Sequence, residues 1–496
     1  MMGSSAETET VSSSGGAPSG PSAPSPAGLP PRRGPERAEV HAGLRRWWAV
    51  TPILLLGLAI REGFSFWTGH PYDFEIWIRT GYVVAHGTNP YLHPWPPVPG
   101  VSFGYTGQDL PSAAYLPFWP DIFGATYRLW EQVGGGNRFV LYFLLKQGPI
   151  AGDMAVAGLL YRFVLRESGR PSAALGALAF WSFFPYDIVI GSIWGQLDPV
   201  TTALLLAALL SSESAAARRS LLWGLGIFVK WITVIFLPLE FFRNRGLRRL
   251  APVAGLLLAG GLTGLAFLAA GWSFAGILAT GSSLSAGGGG GMNYADWFHL
   301  PILAATLTAF PLLGSILTYL WVPGCLLAGW HAARWLHPGG PGQPLRALLL
   351  VMTVVLLLRW GLNEQYMLYP FALLVADVYT RHPERRPFFY FLVALASGYL
   401  LTNDGLGIWF AAPAFPSAFT VVQAFDNSAV GGAFRFDLLY LFSALMTVTL
   451  IQLTWVVLQD QPAPRPWLWP RWPTRWRGTV PAAPAVPVGA GDGAGH

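Results

Sequence analysis

One cysteine, two lysines and little charge of either sign set this chain apart before any motif does. Cys325 stands alone, so the chain has no internal disulfide and no cysteine-based metal site. Only 11% of its 496 residues are charged, against 53% hydrophobic and 14% aromatic, with a mean hydropathy of +0.43. A soluble core of this size needs more charged surface, so the composition points to a polytopic membrane protein. Short alternating segments, the mark of an outer-membrane barrel, are missing too, which leaves an all-α bundle of transmembrane helices. The first thirty residues hold no apolar core, so they read as a disordered tail and not as a signal peptide. No internal repeat is evident, and that counts against a transporter built from repeated halves.

What charge there is carries information by its position. The net charge of +6 does not imply nucleic acid as a partner, because the arginines sit in short clusters beside apolar runs, as in cytoplasmic loops. Arg32, Arg33, Arg37, Arg45 and Arg46 precede the run 47–60 and place the amino terminus inside. Later spans near 139–164, 172–190, 199–213 and 250–271, one crossing with a shorter apolar helix that brings the chain back to Arg334, and spans near 345–358, 366–380, 388–402 and 437–458 alternate so that every basic cluster falls on one side. The stretch 221–242 has arginines at both ends and is broken by Lys230 and Pro238, so it reads as a re-entrant or broken helix pair. The sum is about 10–12 membrane helices: ten crossings plus that pair. The expected division is a disordered cytoplasmic tail over 1–44, a transmembrane domain over 45–460 and a Pro/Arg/Trp-rich cytoplasmic tail over 461–496. Residues 68–138 form a large first external loop, too polar to span and carrying interfacial helices.

On this topology Asp73, Glu75, Gln196, Asp198, Asn293, Asp296, His299, Arg359, Glu364, Gln365 and Asp404 all fall at outer helix ends or in outer loops. Polar groups are costly near hydrocarbon, so a one-sided collection suggests a site opening at the external leaflet. Plainer readings stand beside this one. Asp73 is also suited to cap the helix beginning near Phe74, and Asp198 with Pro199 forms a good first turn. Asn293, Asp296 and His299 also suit an ordinary polar loop, or a mobile flap after the glycines 287–291. Lys230, in mid-apolar sequence, costs roughly 3 kcal/mol unless it has an anionic partner, snorkelling room or a function. Lys146 and Asp153 share a helix face but stand ~10 Å apart along its axis, too far to pair directly. Arg359 suits either an ion pair with Glu364 or a phosphate. Carboxylates beside cations at a membrane surface suit one chemistry well: a base deprotonates a sugar hydroxyl while cations receive the phosphate of a lipid-linked donor.

These motifs resemble the GT-C class of integral-membrane glycosyltransferases, over about residues 45–460. The stretch Tyr72-Asp73-Phe74-Glu75, continuing to Gly87-Thr88-Asn89-Pro90-Tyr91, is similar to the acidic first-loop motif and following G-x-P-Y of mannosyltransferases that use dolichyl-phosphate mannose, notably the first of GPI-anchor assembly. Asn363-Glu364-Gln365-Tyr366, leading to Pro370, is similar to a late outer-end motif of the class. Trp194-Gly195-Gln196-Leu197-Asp198, followed by Lys230 and Leu237-Pro238, resembles the pattern of its prokaryotic polyprenol-phosphate-dependent members. The resemblance implies inverting transfer of a sugar, mannose being the expected one, on the extracytoplasmic face of the cell membrane. It implies Asp73 as catalytic base with Glu75 in support. Glu75 stands where the GPI enzyme has aspartate, so a divalent metal stays open as a cofactor and no metal ligand is assigned.

The resulting expectation is a glycosyltransferase whose partners are a polyprenyl-phosphate sugar donor, a lipid or glycan acceptor and membrane lipids, with no nucleic acid. Asp73 and Glu75 are its catalytic candidates. Arg359, Lys230, Gln365, Glu364, Gln196, Asp198 and His299 are the candidates around the donor phosphate. A transporter or lipid flippase is the competing class, and a non-catalytic scaffold, in which Asp73 and Glu75 are freely replaceable, is a third.

Overall fold

The computed structural model describes residues 35–92, 95–104, 115–211, 215–273, 277, 292–335 and 342–460. All structural statements below concern these residues. They form helices and no strands, in two units, residues 1–48 and 49–496. In the first unit the described residues run from Pro35, with the backbone alone described up to Trp47, and they are helical as part of α1 (Pro35–Ser65), so residues 35–44 are helix where a disordered tail is expected. The rest of that tail and residues 461–496 lie outside the described residues.

Five helical segments are long and apolar enough to cross a membrane: Trp48–Ser65, Arg138–Ser168, Gly246–Ala269, Pro311–Ala333 and Ala429–Gln459. Two bent pairs, Pro171–Ser182 with Pro185–Trp194 (41°) and Pro383–Asn403 with Gly405–Ala411 (63°), raise the number to seven if each is one span. The ten crossings expected from the sequence exceed this because several expected spans fold as short or broken helices. Proline is the main cause: Pro185 starts a new helix after Ser182, and Pro238 opens another after the break at Lys230.

The expected first loop holds α2 (Asp73–Ala85) and α3 (Phe118–Gln132). They cross closely because Gly124 faces Val84, where a Cβ would stand 2.2 Å from the valine Cγ1. Phe74, Trp77, Trp119 and Phe123 are buried together with Tyr142 and Leu145 of α4 (Arg138–Ser168). Each such side chain gains about 1.5–3 kcal/mol from burial, which fixes the start of α2 against α4. After α5 (Pro171–Ser182), the short α6 (Pro185–Ile188) runs on as a π-helix through Val189–Trp194. Next come α7 (Asp198–Leu210) and α8 (Ala216–Val229).

At Lys230 the backbone leaves the helix (φ −156°, ψ 132°), passes through a 3-10 turn at Trp231–Phe236 and re-enters helix as α9 (Leu237–Arg243). The two ends of this segment meet, since Arg219 of α8 and Arg243 of α9 both reach the Glu240 carboxylate, at 3.2 and 3.7 Å. Residues 216–243 therefore form a helical hairpin with Lys230 at its tip, about 21 Å along α8 from its start. The hairpin lies against α10 (Ala251–Ala269) through small residues: a Cβ on Gly224 would stand 2.5 Å from the Gly255 carbonyl oxygen. The remaining helices are α11 (Pro301–Ala309), α12 (Pro311–Tyr319), α13 (Trp321–Ala333), α14 (Gln343–Leu358), α15 (Leu368–Thr380), α16 (Arg386–Asn403), α17 (Pro416–Asp426) and α18 (Ala429–Gln459).

Candidate functional site

Asp73 is the first residue of α2, yet its carboxylate does not cap that helix. The capping acceptor is His70, whose Nδ1 takes the N–H of Tyr72 at 3.2 Å and of Asp73 at 3.1 Å. The half-buried Asp73 carboxylate instead accepts from Trp194 Nε1 at 3.0 Å and from Gln196 Nε2. Trp194 ends the π-helix. Gly195 then takes φ +92°, where a side chain is strained and a Cβ would meet Lys146 and Phe74 at 3.3 Å. This turn delivers Gln196 back toward Asp73, and its own N–H closes on the Ile190 carbonyl at 2.8 Å.

Gln196 is a bridge. While its Nε2 donates to Asp73, its Oε1 accepts from Lys230 Nζ at 3.3 Å. Lys230 also forms an ion pair with Asp198, the first residue of α7, whose other carboxylate oxygen accepts from the Tyr369 hydroxyl. The lysine in mid-apolar sequence thus has the anionic partner its cost demanded, and Asp198 is engaged with it instead of serving as a cap. On the far side, Lys230 Nζ lies 5.2 Å from the centre of the Tyr366 ring and the Arg359 guanidinium 4.5 Å from it. Arg359 also donates to the Tyr366 hydroxyl at 3.3 Å. Two cations therefore lie against one aromatic ring, whose quadrupole attracts both.

A second cluster adjoins the first. His70 Nε2 stands 3.5 Å from Asp404 Oδ1, and its ring stacks on Trp194 at 4.7 Å and on Trp409 at 5.7 Å. Glu364 is buried and accepts from Asn403 Nδ2 at 2.6 Å, and Arg359 is not its partner. Burial, then the charge of Asp404, pushes the Glu364 carboxyl up to about 8, although the hydrogen bond from Asn403 works the other way. Gln365 Oε1 and Asp404 Oδ2 are buried without a hydrogen-bond partner among the described residues.

Glu75 is not beside Asp73. Two positions on in a helix turns a side chain through roughly 200°. Glu75 is fully buried, taking Arg79 Nε at 3.1 Å and the backbone N–H groups of Phe103 and Gly104. Arg79 in turn donates to the carbonyls of Trp95 and Gly104, so the pair ties the first loop together and the supporting role expected for Glu75 has no geometry behind it. His299 ends a 3-10 turn at Tyr294–His299, and its side chain lies outside the described residues, as do the glycines 287–291. Asn293 holds the carbonyls of Leu356 and Arg359 at 2.9 and 2.8 Å, which fastens this segment to the end of α14. Lys146 does not pair with Asp153; its Nζ is taken by the oxygens of Thr68 and the Ile193 carbonyl.

Sequence reading assigned no role to His70, Tyr369, Arg61 or Asp187. The signal for Arg61 was there: a charge at the edge of an apolar run demands a partner. It finds Asp153 and Asp187 in the protein interior.

At their other ends the same helices gather arginines. Arg166, Arg219 and Arg243, with Ser211 and Pro344, line a cavity of about 240 Å³. Glu240 is in its wall and already engages two of the three guanidiniums. Among the described residues no three His, Cys, Asp or Glu side chains are grouped to hold a metal ion. No known protein-family model matches the chain.

Proposed function

We propose that this chain is a membrane-embedded glycosyltransferase of GT-C type. It transfers a sugar, mannose in the leading case, from a polyprenyl- or dolichyl-phosphate donor to an acceptor hydroxyl on the extracytoplasmic face, with inversion. One observation carries the reading: the half-buried Asp73 carboxylate, released from capping, is joined through a single amide, Gln196, to Lys230, and Lys230 and Arg359 share the Tyr366 ring. A base and two cations so linked match what the reaction needs.

The acceptor hydroxyl gives its proton to Asp73 as its oxygen attacks the anomeric carbon from the side opposite the phosphate. The bond from that carbon to the phosphate oxygen breaks, and the phosphate leaves with the electron pair. Its charge meets Lys230 and Arg359, which stabilise the departing anion. Arg359 retains donors for a phosphate beyond its one bond to Tyr366. Lys230 divides its charge between Asp198 and the incoming group, so donor binding competes with an internal ion pair. Glycoside and polyprenyl phosphate are the products, and a single displacement inverts the anomeric centre.

Sidedness supports this reading. The ends of α4, α7 and α8 opposite the Asp73 cluster bring Arg166 and Arg219 together, and arginine-rich ends are cytoplasmic by the positive-inside rule. Ten crossings with the Lys230 hairpin as the re-entrant element remain the proposed topology. The test is to incubate protein in lipid nanodiscs with a panel of polyprenyl-phosphate sugars and acceptors and to identify products by mass spectrometry. A glycoside of inverted configuration is expected, and absence of transfer from every donor would overturn the proposal.

A transporter or lipid flippase draws on one observation, the charged residues Arg61, Asp153 and Asp187 in the protein interior. These groups are paired with one another and fully buried. Labelled-lipid transport in proteoliposomes separates the two readings.

A further inference from the structure

We propose that His70 is the positioning residue of Asp73: its neutral ring, with Nε2–H toward Asp404, caps the turn that carries Asp73 and backs the indole that holds the Asp73 carboxylate. The proposal rests on the transfer reading above and adds a residue to that site.

An aspartate at the start of a helix ordinarily spends its oxygen on the orphan N–H groups of the first turn. Here α2 begins with no cap from its own residues, because His70 Nδ1 takes two of those N–H groups and the His70 carbonyl takes that of Phe74 at 3.1 Å. The carboxylate of Asp73 is thereby left for Trp194 and Gln196. A second route runs through the ring face: His70 stacks on Trp194, whose Nε1 is the donor to Asp73. Backbone bonds hold the histidine in turn, its N–H on the Trp194 carbonyl at 3.3 Å and that of Gly69 on the Phe410 carbonyl at 2.9 Å. One residue thus joins the start of α2, the end of the π-helix and the Asp404 turn.

The arrangement works only while Nδ1 has a free lone pair, and a proton there would point at two N–H donors. The charged groups facing the ring are Asp73 from α2 and Asp404 from the end of α16, with Glu364 acting on both carboxylates. Trp194, Trp409 and Phe410 surround it with uncharged rings. Burial opposes a second proton, while the hydrogen bond to Asp404 and the charges of Asp73 and Asp404 favour it and prevail, so the ring charges above the usual histidine range. Transfer therefore declines on the acid side as the cap is lost.

His70→Asn separates positioning from general structure, because Asn Oδ1 occupies the place of Nδ1, caps well and does not titrate. In nanodiscs this variant, which keeps the cap and loses the stacked ring, is expected to lower kcat about threefold near pH 8 and to move the acid limb of the pH profile to lower pH. His70→Gln, which reaches the Nε2 position and lacks the near acceptor, is expected to lower kcat about tenfold with little change in KM. Hydrogen exchange at the amides of Tyr72 and Asp73, read by mass spectrometry, is independent of activity. It should speed up in wild type as pH falls, after correction for intrinsic rates, and stay slow in His70→Asn. An acid limb that stays at the wild-type pH in His70→Asn, or wild-type exchange with no such pH dependence, would overturn the proposal. If no donor supports transfer, the functional reading fails while the exchange result still decides the role of His70.

Discussion

Two clusters of charge in this protein differ in how completely they are closed. Around Arg61 all five guanidinium N–H groups find acceptors: Asp153, Asp187 at 2.7 Å, and the carbonyls of Gly57, Trp181 and Ser182 at 3.0, 3.3 and 2.6 Å. Trp181 Nε1 takes the remaining oxygen of Asp153 at 2.8 Å. Asp187 Oδ1 alone of these groups lacks a partner among the described residues, but every guanidinium donor is engaged, and the arginine and both aspartates are fully buried. Around Asp73 the carboxylate is half-buried, Arg359 has one hydrogen bond, and Gln365 Oε1 and Asp404 Oδ2 have none among the described residues. A fully buried cluster whose cation has every donor engaged braces helices. An unsaturated one, reached from solvent, has capacity left for a substrate.

The contrast fails or sharpens on mutation. Asp73→Asn keeps the shape of the side chain and removes the proposed base, so transfer should fall by about 10²–10⁴-fold while the unfolding midpoint holds. Arg61→Met should act the other way. Two buried carboxylates lose their counter-charge, at a cost of about 3–5 kcal/mol, and purified yield and thermal midpoint fall before any effect on KM is measurable. An Arg61→Met variant as stable as wild type would mean that the cluster is not the brace described. Lys230→Met belongs to both worlds: it should lower kcat about 10²-fold and also destabilise, since Asp198 is left buried without its cation. Adding Asp198→Asn should restore the thermal midpoint and not the rate.

The smallest effect concerns pH. Glu364 binds its proton more tightly folded, at about 8, than unfolded. Between the ordinary carboxylate range and about 8 the folded state holds a proton that the unfolded state has lost, so stability from this group falls as pH rises through that window. Wild type should melt at a lower temperature at pH 8 than at pH 5, and Glu364→Gln should flatten that slope.

Much of the site was legible because charge in an apolar chain is so sparse. Lys230 demanded an anion by its cost alone, and the arginine-flanked hairpin follows from having basic ends on both sides. The opening stretch around Asp73 was legible as acid beside aromatics at the end of a span. What was not legible depends on approach between distant segments. His70 acquires its role only when Asp404 and Trp194 reach it, and Asp187 makes sense only once Arg61 from another helix is beside it. Glu75 misled because adjacency in sequence is not adjacency in space: on a helix, residues two apart face away from each other. The expected crossings outnumber the long apolar helices because hydropathy counts apolar residues and does not register where proline breaks the ladder.

The most direct test compares the two clusters in one experiment. Wild type, Asp73→Asn and Arg61→Met are placed in identical nanodiscs with polyprenyl-phosphate mannose and acceptor, and transfer and thermal midpoint are read on the same samples. The expected result is that Asp73→Asn is inactive at the wild-type midpoint, while Arg61→Met melts earlier and retains transfer per folded molecule. Transfer by Asp73→Asn at near the wild-type rate would contradict the assignment of Asp73 as the base and, with it, the functional reading of the open cluster.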